Sequence, residues 1–110
     1  MTSEPTFAVG TAFELQSEIE YSNGGIVSKQ ILKNAAGNIT LFSFDKGQAL
    51  SEHTAPFDAL AQIIDGQVEI IINGKSNILK AGQIIIMPAN IPHAVFAIER
   101  FKMLLTMLRG

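Results

Sequence analysis

The chain has no cysteine. That excludes a disulfide framework and a thiolate metal site, and it argues against a small secreted domain stapled by cross-links. Charge is scarce too: 16% of the 110 residues are charged, with a formal net charge of −2. No run of lysine and arginine interrupts the sequence, so the electrostatic footprint of a nucleic-acid-binding surface is missing. No apolar stretch reaches the roughly 20 residues that a membrane-spanning helix needs. The first ten residues, MTSEPTFAVG, are too acidic and too weakly apolar for a secretion leader. Histidine occurs only twice, at His53 and His93. These absences predict a cytoplasmic domain without nucleic-acid or membrane partners.

What is present is apolar and strand-like. Hydrophobic residues make up 47% of the chain, enough for one folded domain and far from the composition of a disordered segment. Residues 13–21, FELQSEIEY, alternate apolar and polar side chains with a period of two, which predicts a strand; Leu15 and Ile19 also leave room for a short helix. Strands follow over IVSKQILK and ITLFSFDK. In VEIIINGKSNIL, Asn73-Gly74 marks a tight hairpin, because both central positions of a type I′ turn need positive φ. FKMLLTML reads as the closing strand. Short strands separated by turns, with no long helix, define an all-β class, an antiparallel sandwich or barrel. Residues 1–10 read as an N-terminal arm and residues 11–110 as a single barrel domain.

Two isoleucine runs depart from simple alternation. Ile70-Ile71-Ile72 and Ile84-Ile85-Ile86 are apolar on both faces, so part of the outer wall should be covered. A neighbouring sheet, the arm or a second copy of the chain could supply that cover, and a homodimer is the expectation.

The chemistry-bearing segment is GQIIIMPANIPHAVFA, residues 82–97. Gly82 turns the chain into a buried strand, Pro88 and Pro92 fix φ at a corner, and His93 opens the next strand. This order resembles the second conserved motif of the cupins, a family of small β-barrels: Gly82, Pro88 and His93 fall at the motif's spacing. Asn90 stands at its second glycine, a residue that also tolerates left-handed backbone, and Ala97 stands at its final asparagine. Upstream, GQALSEHTAPFDALAQIIDG resembles the first motif at Gly47, His53 and Gly66. Its second histidine position is Ala55 and its glutamate position is Ala59. The likeness covers roughly residues 40–108.

The resemblance implies an antiparallel jelly-roll β-barrel, the cupin-like double-stranded β-helix, and a homodimer. It also implies that His53 and His93 converge on a divalent transition metal (Ni, Zn, Cu, Fe or Mn). With two of four ligands replaced by alanine, such an ion would be weakly held or absent altogether. Strand alternation would turn Ala59, Ala61 and Ile63 inward and Asp58, Leu60 and Gln62 outward. Ala55, Ala59, Ala61, Ile63 and Val95 are the expected lining of a pocket, where small side chains leave space for a small-molecule ligand. Large neighbours such as Phe57 or Phe44 could instead fill that space, and Met87 and Met103 could serve as soft ligands or as packing. The expected role is binding of a small molecule, a weakly held metal, or both. The alternative is a metal-dependent enzyme of the dioxygenase, isomerase or decarboxylase type, and a ligand-free scaffold ranks third.

Overall fold

The computed structural model describes residues 7–109. Nine strands follow in order: β1 (Ile26–Asn34), β2 (Gly37–Phe44), β3 (Ala49–His53), β4 (Asp58–Asp65), β5 (Gln67–Ile72), β6 (Lys75–Lys80), β7 (Ile84–Met87), β8 (His93–Ala97) and β9 (Phe101–Leu108). They form two antiparallel sheets, ordered β1-β2-β9-β4-β7 and β3-β8-β5-β6. The chain crosses repeatedly from one sheet to the other, as a double-stranded β-helix requires. Among the described residues, no helix is long and apolar enough to cross a membrane.

The core lies between the sheets and follows the alternation of each strand. Ala59, Ala61 and Ile63 of β4 are buried while Asp58 and Gln62 are exposed. Opposite them, Val68 and Ile70 of β5 and Val95 and Ala97 of β8 complete one cluster, with Phe44 stacked on Phe101 at 4.6 Å between ring centres. Asn73 and Gly74 take positive φ (51° and 80°) at the β5–β6 tip, as the expected hairpin demands. Gly66 separates β4 from β5 at φ 80°, and a Cβ there would fall 1.8 Å from the Arg100 carbonyl oxygen. That close approach lets the β4–β5 corner press against the start of β9.

Residues 13–21 are not a strand. They hold one 3₁₀ turn, Leu15–Ser17, and otherwise lie irregularly across the outer face of the larger sheet. The period-two pattern is real, but side chains satisfy this backbone in place of a ladder. Gln16, Glu18 and Glu20 offer their carbonyls to Lys102 Nζ (2.5 Å), Lys29 Nζ (2.9 Å) and Ser43 Oγ (2.8 Å). Ile19 is buried beneath the segment, and so are Leu41, Ser43 and Lys102 on the sheet. Tyr21 closes the strap by donating to Asp65 at 2.5 Å, with the Arg100 guanidinium over its ring. Burial first, and then the neighbouring Asp65 carboxylate, push the Tyr21 phenol well above its usual range.

Of the expected arm, residues 1–6 lie outside the described residues. Phe7 is buried and packs on Phe13 at 4.5 Å, beneath Lys29.

Candidate functional site

His53 ends β3 and His93 begins β8, and the two are paired residues of the smaller sheet. Their partnership depends on a β-bulge. Leu50 faces Val95 and His53 faces His93, so three steps on β3 match two on β8. The extra residue reverses the parity of the strand. Without it Glu52 would share the inner face with Leu50; with it His53 does. The rings meet edge to face with centres 4.4 Å apart.

Each imidazole is held in the same way. His53 Nδ1 lies 2.8 Å from the Ser51 carbonyl and His93 Nδ1 lies 3.2 Å from the Ile91 carbonyl, each two residues upstream. A carbonyl only accepts, so each Nδ1 is the donor in its contact, and in the neutral ring each Nε2 keeps its lone pair. His93 is 7% exposed, while His53 opens to solvent. The pair therefore sits at a mouth, with one ring inside and one at the rim.

Two loops frame this mouth, residues 54–57 between β3 and β4 and residues 88–92 between β7 and β8. They are bonded to each other: Asn90 N–H donates to the Ala55 carbonyl at 2.7 Å, and Ala89 N–H donates to Asp58 Oδ1 at 2.9 Å. Asn90 adopts φ 64°, the left-handed backbone that makes asparagine a workable stand-in for glycine. Asp58 faces outward, as alternation predicted, and its carboxylate ties the loops together.

The expected lining residues fall into layers. Ala55 is half-buried in the first loop. Ala59 is 4% exposed at the mouth end of β4, paired with Met87 on one side and Met107 on the other. Val95, Ala61 and Ile63 lie progressively within the packed core cluster. Phe44 belongs to that core, whereas Phe57 is half-buried at the rim with the Arg109 guanidinium 5.1 Å from its ring centre. Met87 and Met103 are buried packing residues of the same cluster.

Two polar residues at this end escaped the sequence reading. Asn38 and Thr40 pair with Met107 and Leu105, which pack against the core from inside, so both occupy inward register positions. The signal was present in ITLFSF: Thr40 shares its face with Phe42 and Phe44 and is the polar start of that row. Among the described residues, no group of three or more His, Cys, Asp or Glu side chains is placed to hold a metal.

Fold and site together define a two-sheet antiparallel barrel with a histidine pair at one mouth. The cupin domain family model matches residues 40–107, and the chain belongs to the cupins. A conserved protein of unknown function from Streptococcus pyogenes is 34% identical, with a TM-score of 0.91 over 100% of this chain and 96% of that one. A cupin 2 conserved barrel domain protein from Leptotrichia buccalis is 43% identical, with a TM-score of 0.85 over 88% of this chain. The chain spans about half of that protein, 47% of its length. A cupin superfamily protein from Desulfitobacterium hafniense superposes with a TM-score of 0.89 at 27% identity, over 99% of this chain and 100% of that one. No curated protein matches the chain.

Proposed function

We propose that this cupin is a cytoplasmic binding protein whose mouth takes a divalent transition metal, together with a small, partly apolar ligand, through Nε2 of His53 and His93. The observation that carries this reading is the matched pair of Nδ1 contacts to carbonyls, which leaves two acceptor nitrogens on adjacent rings. The spacing agrees. A metal–nitrogen bond of about 2.0–2.1 Å puts an imidazole centre about 3.2 Å from the ion, so two rings bound at right angles stand about 4.5 Å apart. The rings here are 4.4 Å apart.

Two imidazoles select nickel, copper or zinc over calcium or magnesium, which prefer oxygen. They hold the ion loosely and leave coordination positions for a ligand that brings its own oxygen or nitrogen atoms. Asn38 and Thr40 place polar groups at inward register positions on one side of the mouth, and Ala59 places a small side chain at the other.

The test is calorimetric titration of untagged protein with nickel and zinc salts. Binding should be reversible and should weaken as pH falls through the histidine range, because protonation removes the lone pair. His53→Ala and His93→Ala should each abolish it while circular dichroism stays unchanged. Binding that survives both substitutions would refute the assignment.

A further inference from the structure

Among the described residues, the inward register positions at the mouth include two lysines and no acid. On the larger sheet one row crosses every strand at this level: Lys33 of β1, Asn38 of β2, Met107 of β9, Ala59 of β4 and Met87 of β7. On the smaller sheet the matching row is His53, His93, Ile72 and Lys75. Residues paired in this way share one face of a sheet. Both rows therefore belong to the inner face, and each carries a lysine on an edge strand, where the side chain is exposed.

Two bulges produce this arrangement. In β1 the register slips between Gln30 and Leu32, which puts Lys33 on the face of Asn38 and Leu32 on the other. In β3 the bulge that admits His53 keeps Glu52 off the inner face. Asp58, next to Ala59, points outward and is held by the Ala89 N–H at 2.9 Å. One row deeper, Thr40, Leu105 and Ala61 on one sheet and Leu50, Val95 and Ile70 on the other bring no charge. Asn38 adds hydrogen-bond donors. The Thr40 hydroxyl donates to its Oδ1 at 3.4 Å, which orients the amide and leaves the NH2 group to bond a ligand oxygen.

We infer, resting on the metal-binding reading of His53 and His93, that the ligand of this mouth is a small organic anion: a carboxylate with a second oxygen on the adjacent carbon and a short aliphatic body. Two neutral imidazoles leave both charges of a divalent ion uncancelled, and Ala59 brings no carboxylate to the row. A dication in a partly enclosed mouth, with two lysines on the same face, favours an anion over a neutral donor. The carboxylate and its neighbouring oxygen occupy two of the coordination positions that the histidines leave open. Asn38 and Lys33, adjacent in their row, suit the other carboxylate oxygen. The aliphatic body meets the deeper rows, which are apolar apart from Thr40.

Calorimetry on the untagged native protein tests this. Protein in excess over nickel is titrated with 2-hydroxy-4-methylpentanoate, with its neutral amide, and with 4-methylpentanoate, which has the charge without the second oxygen. The hydroxy acid should bind at least about tenfold more tightly than either, and its affinity should fall as salt rises. Lys33→Glu separates a charge effect from damage to the fold. It should weaken the hydroxy acid by about threefold or more and tighten nickel alone, because one reversal repels an anion and attracts a cation. Nickel that fails to bind alone overturns the reading of the histidines, and this inference with it. Nickel that binds, followed by equal affinity for acid and amide, leaves that reading standing and overturns the anion. Equal affinity for the two acids overturns chelation through the second oxygen. A Lys33→Glu variant that weakens both titrations takes Lys33 out of the mouth.

Discussion

Ala59→Glu puts a carboxylate where the inward face of β4 reaches the mouth. In the metal-free protein the change should be damaging. The side chain would enter a position that is 4% exposed between Met87 and Met107, neither of which donates a hydrogen bond. An unpaired polar group there costs about 1–3 kcal/mol, and overpacking costs a further ~1–3 kcal/mol. A net loss of about 3 kcal/mol lowers the melting temperature of a domain this size by about 15 °C. Metal should reverse much of it, because the glutamate would complete a third ligand beside His53 and His93. At one hundred times its dissociation constant a ligand stabilises by about 2.7 kcal/mol, so 1 mM nickel acting on a ~10 µM site restores about 10 °C or more. The assay is thermal unfolding of the native protein, Ala59→Glu and Ala59→Gln, each with and without nickel. The glutamine variant has the same bulk without the charged ligand and should melt low with little rescue. If nickel raises the glutamate variant no more than the native protein, residue 59 does not face the histidines and the geometry proposed for the mouth is wrong.

Three further outcomes follow from packing. Gly66→Ala should destabilise by at least about 3 kcal/mol in urea, since the methyl meets the Arg100 carbonyl at 1.8 Å and the φ of 80° disfavours any side chain. Tyr21→Phe should lose about 1–2 kcal/mol through the missing bond to Asp65, with the cations still resting on the ring. Alkaline unfolding checks the same contact: because the folded phenol has a raised pKa, its contribution is whole below the ordinary tyrosine value near 10 and is lost as pH climbs above it. The native protein should therefore lose stability more steeply than Tyr21→Phe above pH 10.

Much of the barrel was legible because local chemistry and global fold agree. Asn73-Gly74 permits one turn, and the alternation of Ala59, Ala61 and Ile63 has one buried face, so tertiary context had nothing to override. The histidine pair was legible only through motif spacing. Its physical basis, the bulge between Leu50 and His53, leaves no trace in composition, and parity counted along β3 alone gives the wrong side chain. Residues 13–21 misled for the opposite reason. Their pattern describes a segment with one face on the protein, and Lys29, Ser43 and Lys102, remote in sequence, decide that this face meets side chains instead of a neighbouring strand. The isoleucine runs split likewise: Ile70 fills the core, while Ile84 and Ile86 stand outside it.

The bonds from Asn90 to Ala55 and from Ala89 to Asp58 have a consequence for how the mouth works. The histidines stand on separate strands where two loops meet the sheet, and these two amides brace the loops like a crossbar between gateposts. Neither loop can move away alone without breaking these two hydrogen bonds. The frame is therefore set before a ligand arrives, and capture spends little on ordering it. Loosening of the crossbar becomes visible at two places: the amides of Ala89 and Asn90 should exchange with solvent in step, and a ligand spanning the rings should slow both together.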